Sequence, residues 1–418
     1  MKVSSLSSRK HLSGTSKPGL LDGLARSAVL KRLGQMDRGS LVLVDGPDTF
    51  EFGSGEGLSA RIEVLDPAFY SEIAFGGSIG GGEAWMHGYW TCDDLVAVVR
   101  LLLQNRDVLD GMEDGLARIT APLQTLFHRI NRNTREGSRR NISAHYDLGN
   151  DFFALWLDET MMYSCAIFPH REAGLHEAQL HRLDHTCRKL QLQPDEHLLE
   201  IGTGWGGLAI HAAENFGCRV TTTTISAEQH ARARRRIDQR GLQDRVTLLK
   251  SDFRDLEGQF DKMVSIEMIE AIDHHLIDTY FHKCSRLLKP HGAMLLQAIT
   301  IADQRYDEYR KSVDFIRRYI FPGGNLPSIR VIADSVARKT DLRLLGLEDI
   351  GLHYARTLEI WRENFNKRLD EVRAMAYPER FIRMWEFYLC YCEGAFLERA
   401  ISDVQILFTK PESRLSVI

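Results

Sequence analysis

Hydrophobic and polar positions change rhythm part-way along this chain. Between residues 27 and 105, SLVLVDGPDTFEFG and SARIEVLD alternate apolar with polar residues and are separated by turns bearing Gly, Pro and Asp, as half-buried strands do. The glycine-rich stretch GGSIGGGEAWMHGYW follows, and DDLVAVVRLLLQNRDVL then reads as a helix capped by an aspartate. These elements predict a small α+β unit over residues 27–125. From Asp195 onward the rhythm is strand, turn, helix, repeated. HLLEI, RVTTTT, RVTLLK, DKMVSIE and AMLLQAI are β-rich runs, and helical stretches such as SAEQHARARRRIDQR lie between several of them. That alternation predicts an α/β domain with a doubly wound, mostly parallel sheet and a ligand crevice at the carboxyl ends of its strands. Residues 303–391 read as a mostly helical lid placed before a final strand, DVQILFTK.

Composition sets limits rather than a direction. A chain of 418 residues suggests two domains, and 44% hydrophobic with 26% charged residues excludes disordered and collagen-like classes. The net charge of −4 selects no partner. Residues 1–26 read as a disordered terminus, polar and basic without the apolar core of a secretory signal. No stretch approaches the roughly 18 apolar residues of a membrane-spanning helix, so the expectation is a cytoplasmic protein able to lie on a membrane surface. Seven scattered cysteines without a C-x-x-C pair read as reduced thiols, and the adjacent His274 and His275 read as a solvated helix start, so no metal is expected. FHRINRNTREGSRRN carries five arginines against one glutamate and reads as an exposed basic linker, residues 126–145, leading into a domain over 146–418.

The candidate chemistry centres on LLEIGTGWGG, residues 198–207. Gly202, Gly204 and Gly207 satisfy G-x-G-x-x-G, but a nicotinamide site calls for a carboxylate ~20 residues on, and Thr221, Thr222, Thr223 and Thr224 stand there instead. Glu200 before the glycines (Gly202, Gly204, Gly206) fits E-x-G-x-G, the pattern that wraps the methionine half of S-adenosylmethionine and offers its amino group a carboxylate. TISAEQ then places Thr224, Ser226 and Gln229 where a ribose can be bonded, with Ser226 and Gln229 also forming a capping box. Phe253 in SDFRD can cover an adenine face.

Together with HYDLGNDFFALWLDETMMYSCAIF (145–168), EMIEAI (267–272), RYIFPGGNLPS (318–328) and YCEGAF (391–396), this turn resembles the cyclopropane-fatty-acyl-phospholipid synthases, which include the mycolic acid cyclopropane synthases. The resemblance runs from roughly residue 30 to 410. It implies a Rossmann-like class I methyltransferase fold, with Tyr146, Asp147, Thr224, Gln229, Phe253 and the glycine turn holding S-adenosylmethionine. It also implies a bicarbonate ion held by Cys165, Glu270, Gln297, Ile299 through its backbone, and Tyr354, while Cys392 matches a reactive thiol of the family. This chain has Gln297 where many members carry histidine, and Ala271 where a histidine follows the glutamate.

The activity so implied is transfer of a methylene unit to a cis double bond of unsaturated phospholipid, giving a cyclopropane ring. An isolated alkene must be aligned with the sulfonium methyl away from water, the resulting cation shielded by aromatic faces, and a proton removed. Glu270 beside the anion would relay that proton. The runner-up product is a methyl- or methylene-branched chain; a small-amine N-methyltransferase and a lipid-binding protein on a retained fold are further alternatives. A nucleic-acid methyltransferase is disfavoured, because the fourth strand ends in EMIEAI without the Asn/Asp-Pro-Pro-aromatic box. Docking is expected to be peripheral, through the basic linker, on the inner face of the membrane and as a homodimer formed with help from the N-terminal unit.

Overall fold

The computed structural model describes residues 20–113 and 149–416. Its first unit runs α1 (Leu20–Leu33), β1 (Ser40–Asp45), β2 (Asp48–Gly53), β3 (Ser59–Val64), α2 (Ala68–His87), β4 (Trp90–Cys92), α3 (Leu95–Gln104) and α4 (Arg106–Glu113). The strands form a sheet in the order β2-β1-β3-β4. Alternation along β1 and β3 buries Leu41, Leu43, Ala60 and Ile62, which fixes their register because a slip of one residue would turn all four outward. The Asp94 carboxylate caps α3, accepting from Ala97 N at 3.0 Å. Helix α1 begins at Leu20, so residues 20–26 are helical rather than part of a disordered terminus.

Helix α2 absorbs the glycine-rich stretch that the periodicity left without an element. Its glycines cost helix propensity, about 1 kcal/mol each against alanine, and the backbone breaks at Gly77. Packing explains one of them: a Cβ at Gly82 would lie 2.5 Å from the Phe315 ring. The exchange is reciprocal, since a Cβ on Gly394 would meet Val99 of α3 at 2.7 Å. Around these contacts Arg100 pairs with Glu398 at 2.7 Å, and the Trp85 indole donates to Arg383 O at 3.1 Å.

The larger unit is a seven-stranded sheet in the order β10-β11-β9-β8-β5-β6-β7. Strands β5 (His197–Ile201), β6 (Arg219–Thr223), β7 (Val246–Leu249), β8 (Phe260–Ile266) and β9 (Leu288–Ile301) are mutually parallel, whereas β11 (Ile401–Thr409) pairs antiparallel with both β9 and β10 (Arg343–Asp349). Helices α5 (Leu175–Lys189), α6 (Gly207–Asn215), α7 (Ala227–Gln239), α8 (Ile277–Leu287) and α9 (Ile329–Lys339) belong to this unit. The sheet's central strands are nearly continuous runs of buried residues, as expected when apolar cores cover both faces.

The stretch expected as a helical lid, 303–391, is not one piece. Strand β10 extends the sheet edge inside it, and Ile332 and Val336 of α9 join the core under the sheet. What covers the crevice is the segment 303–328 together with α10 (Gly351–Lys367) and α11 (Glu379–Leu397). The difference arises because RLLGLED has no alternating burial: its strand lies at the edge and leaves Leu344 and Leu347 exposed.

Candidate active site

A cavity of about 870 Å³ opens at the carboxyl ends of β5, β6 and β8. The glycine turn forms one end of it. Gly202 and Gly204 hold φ of 103° and 52°, backbone that glycine adopts without strain. A Cβ on Gly204 would meet no protein atom within 4 Å although the residue lines the cavity, so a bound molecule can approach the bare backbone there. Glu200 reaches the same end from β5. Burial pushes its carboxyl up to about 8, with the Thr222 hydroxyl donating to it at 2.5 Å. An ammonium group brought beside it would stabilise the ionised form, which fits the amino group of S-adenosylmethionine.

Thr224, Gln229 and Phe253 line the wall next to this turn. Thr224 Oγ1 donates to Gln229 Oε1 at 2.8 Å, fixing the amide. Ser226 is buried and does not face the cavity: its hydroxyl accepts from Gln229 N at 3.2 Å as the cap of α7. Only half of the expected capping box forms, because Ser226 N is taken by Thr224 Oγ1 rather than by the Gln229 side chain. Phe253 packs edge-on against Tyr280 at 5.5 Å and presents a half-buried ring. Tyr146, Asp147 and the arginine-rich linker lie outside the described residues.

At the other end of the cavity the five groups expected to ligate bicarbonate lie near one another, but three of them converge on a side chain. The Glu267 carboxylate accepts from Cys165 N at 2.8 Å, from Gln297 Nε2 at 2.8 Å and from Tyr354 OH at 2.7 Å. Ile299 N donates instead to Glu270 Oε1 at 2.5 Å. Every one of the expected donors is therefore engaged by a carboxylate of the protein, and a further anion would meet two of them at close range. This set does not fit a bound bicarbonate. Glu267 adopts φ of 46°, a left-handed backbone that costs a non-glycine residue ~1–3 kcal/mol and persists where surrounding contacts enforce it.

Charge accumulates behind this carboxylate. Gln297 Nε2 also donates to Asp403 Oδ2 at 2.9 Å, and Asp403 is fully buried. Burial raises the Glu267 carboxyl above its ordinary range, with Tyr354, Cys165 N and Gln297 pulling the other way. Burial and then the neighbouring Glu267 and Glu270 charges raise Asp403 well above its usual value. Glu270 is pushed up to about 8 by burial first and the Glu267 charge second, and its Oε2 is buried without a hydrogen bond. Such a cluster can hold and exchange a proton near neutral pH. The same cavity is lined by the rings of Tyr163, Phe321, Tyr388 and Phe396, with Tyr163 and Tyr388 hydroxyls joined at 2.8 Å and Phe396 stacked on Tyr354.

Cys165 contributes its backbone rather than its sulfur, whose thiol is buried, raised well above its usual value, and turned toward Ala166 O at 3.2 Å. Cys392 does line the cavity, and burial raises its thiol too, so it stays protonated. Among the described residues Asp273, His274 and His275 lie close enough to share an ion, yet the Asp273 carboxylate already caps its turn through His275 N at 3.2 Å. Glu267 and Asp403 are the functional groups that the sequence reading missed. Their signals were a second glutamate three residues before Glu270, and an aspartate and a glutamine at period two, Asp403 and Gln405, in an otherwise apolar final strand.

The profile of the mycolic acid cyclopropane synthetase family matches residues 133–406. The chain belongs to this family. Tuberculostearic acid methyltransferase UfaA1 of Mycobacterium tuberculosis is 38% identical over 364 residues, covering 85% of this chain and 84% of that protein. Cyclopropane-fatty-acyl-phospholipid synthase of Escherichia coli K12 is 39% identical over 356 residues, covering 84% and 88%. Mycolic acid cyclopropane synthase CmaA1, solved with S-adenosylhomocysteine and CTAB, superposes with a TM-score of 0.61 at 30% identity, covering 65% of this chain and 98% of that one. The protein is an S-adenosylmethionine-dependent methyltransferase of class I fold, related to cyclopropane synthases and to fatty acid and mycolic acid methyltransferases.

Proposed function

We propose that the protein methylates a cis double bond in the acyl chain of an unsaturated phospholipid and resolves the resulting cation by proton loss to its own Glu267, giving a methylene-branched chain. S-adenosylmethionine would be held by the glycine turn, Glu200, Thr224, Gln229 and Phe253 and supplies an electrophilic methyl group. The apolar part of the cavity, lined by Ile79 of α2, Leu103 and Leu109 beside Phe321 and Leu358, holds the alkene away from water. Tyr163, Tyr388 and Phe396 present aromatic faces to the cationic carbon.

The observation that carries this reading is the Glu267 carboxylate standing among the donors expected to hold bicarbonate. Burial strengthens this carboxylate as a base while its three donors take part of that gain back, leaving one of moderate strength. It suffices for a proton next to a tertiary cation, reached by a hydride shift onto the neighbouring carbon, more readily than for ring closure from a secondary one. Transfer of a methyl cation and loss of one proton leave a net gain of CH2 and a new alkene, so no reductant is consumed. Ring formation is the second reading. It is supported by the cyclopropane synthase of Escherichia coli, but that relative and the tuberculostearic acid methyltransferase stand at nearly equal identity, so similarity alone does not choose.

The test uses vesicles of cis-unsaturated phospholipid, methyl-labelled cofactor and buffer freed of bicarbonate, with the product analysed by mass spectrometry before and after catalytic hydrogenation. The expected product gains one CH2 and still takes up hydrogen. A product that takes up none is a ring, and turnover that depends on added bicarbonate removes Glu267 from the base's role. Among the described residues no helix is long and apolar enough to cross a membrane. We further propose that the encounter takes place at the cytoplasmic bilayer surface, with a homodimer as the docking unit. Vesicle sedimentation and light scattering check those two points.

A further inference from the structure

We propose that Lys189, at the carboxyl end of α5, sets the direction in which two buried amides point, so that Gln297 donates into the Glu267–Asp403 carboxyl pair. The inference rests on the reading of Glu267 as proton acceptor. A single hydrogen-bonded line connects the two places. Lys189 Nζ donates to Gln405 Oε1 at 2.8 Å, Gln405 Nε2 donates to Gln297 Oε1 at 3.0 Å, and Gln297 Nε2 donates to Glu267 and Asp403 at 2.8 and 2.9 Å.

The fold builds this line from register. Gln297 on β9 and Gln405 on β11 are direct cross-strand partners, and Asp403 lies two residues earlier on the same face of β11. Both glutamines are buried, whereas the Lys189 side chain keeps 24% of its exposure. An amide offers one acceptor and one donor group, so a chain of two amides has two possible polarities. Its ends decide between them. An ammonium can only donate, which forces Gln405 to present its oxygen to Lys189 and its nitrogen to Gln297. An ionised carboxylate can only accept, which demands the same direction from the other end.

Without the cation only the carboxylate end holds the direction, and the reversed arrangement, in which Gln297 faces Glu267 with its oxygen, comes within reach. Two acceptors meet in that arrangement unless a carboxyl takes up a proton. The other contact of Gln405 Nε2, Thr186 Oγ1 at 3.5 Å, is too long to hold the polarity by itself. Lys189 thus acts as a positioning residue at a distance, by fixing which hydrogen-bonding state of Glu267 is favoured.

Other charged and titratable groups bear on the same line. Glu348 of β10 pairs with Lys189 and with His185 of α5. Arg182 of α5 is buried and bonds Ser164 Oγ at 2.9 Å, next to the Cys165 amide that holds Glu267. Tyr354 of α10 and Glu270 complete the surroundings of the carboxyl pair, with Tyr388 of α11 near Tyr354. None of these can specify amide polarity, because none bonds to either glutamine side chain.

The test compares wild type with K189M, K189R and Q405M in the full-length protein. The acid limb of the pH–turnover profile is measured on the lipid substrate. Carboxyl protonation is followed separately by infrared titration of the protein alone, with the Glu267 band assigned in E267Q and folding checked by thermal melting. K189M and Q405M are expected to move the Glu267 titration and the acid limb upward by about one pH unit, the size of losing one charge-assisted hydrogen bond. K189R is expected to leave both where they are.

A shift in K189M that vanishes at high salt would be a through-space charge effect and would overturn the proposal, as would an unmoved titration in K189M. A folded Q405M that titrates like wild type overturns it equally. If E267Q turns over normally while the infrared shift in K189M persists, the assignment of the base fails and the amide polarity stands.

Discussion

The two ends of the cavity are built by different rules. At the cofactor end, Glu200 and the glycine turn come from one run of sequence, residues 200 to 206, and each does its work through local backbone geometry. At the acid end, Glu267, Gln297, Tyr354 and Asp403 come from after β8, from β9, from α10 and from β11, and none has a meaning without the others. Both ends hold a carboxyl group raised by burial. Glu200 has the Thr222 hydroxyl as its hydrogen-bond donor, while Glu267 has three, two of them from residues more than 80 positions away. An isolated buried carboxyl suits a ligand that brings its own positive charge. A well-supplied one suits a group that must stay ionised in the empty site.

The sharpest way to break this contrast is E267Q. It should lower turnover by ~10²–10⁴-fold, the range for loss of a general base, while calorimetry shows cofactor affinity unchanged. G202A strikes the opposite end. Alanine at φ of 103° is strained by ~1–3 kcal/mol, so the cofactor dissociation constant should rise by roughly 10–100-fold with turnover recovering at saturation. Y354F removes one donor from Glu267 and should cost roughly tenfold in turnover and move the acid limb upward, a pH profile that G202A should leave alone.

E270Q tests stability rather than rate. A carboxyl raised to about 8 in the fold binds its proton more tightly there than in the unfolded chain. The destabilisation is absent below about pH 4.5 and complete above about 8, so stability falls as pH rises through that window. In E270Q the decline in melting temperature across this range should flatten, though Glu200 and Glu267 leave part of it. The smallest effect is expected from C392S, within ~2-fold in turnover, because a protonated thiol at the cavity wall makes no demand on the chemistry.

How much was legible follows the same division. The doubly wound sheet, the turn and its glutamate were readable because period, spacing and local motif carry them. Helix α2 was not, since five glycines contradict helix propensity and the contacts that require glycine, such as the Phe315 and Phe387 rings against Gly82, come from distant sequence. Strand β10 was hidden inside a helical stretch because an edge strand shows no alternation of burial. At the acid end Cys165, Glu270, Gln297, Ile299 and Tyr354, named by the resemblance, lie near one another, yet the resemblance could not supply Glu267, the carboxylate on which three of them converge. EMIEAI contains that answer as a second glutamate, but nothing local says that its backbone turns left-handed and aims the carboxylate at residues from β9, α10 and the loop that carries Cys165.

The seam between the two units carries a lasting constraint. Gly82 gives way to Phe315, and Gly394 gives way to Val99, so each partner fits into space the other leaves by having no side chain. A closeness made of missing atoms admits no gradual adjustment. Adding a single methyl on either side acts as a wedge, and the N-terminal unit and the catalytic one can drift in sequence only as an interlocked pair.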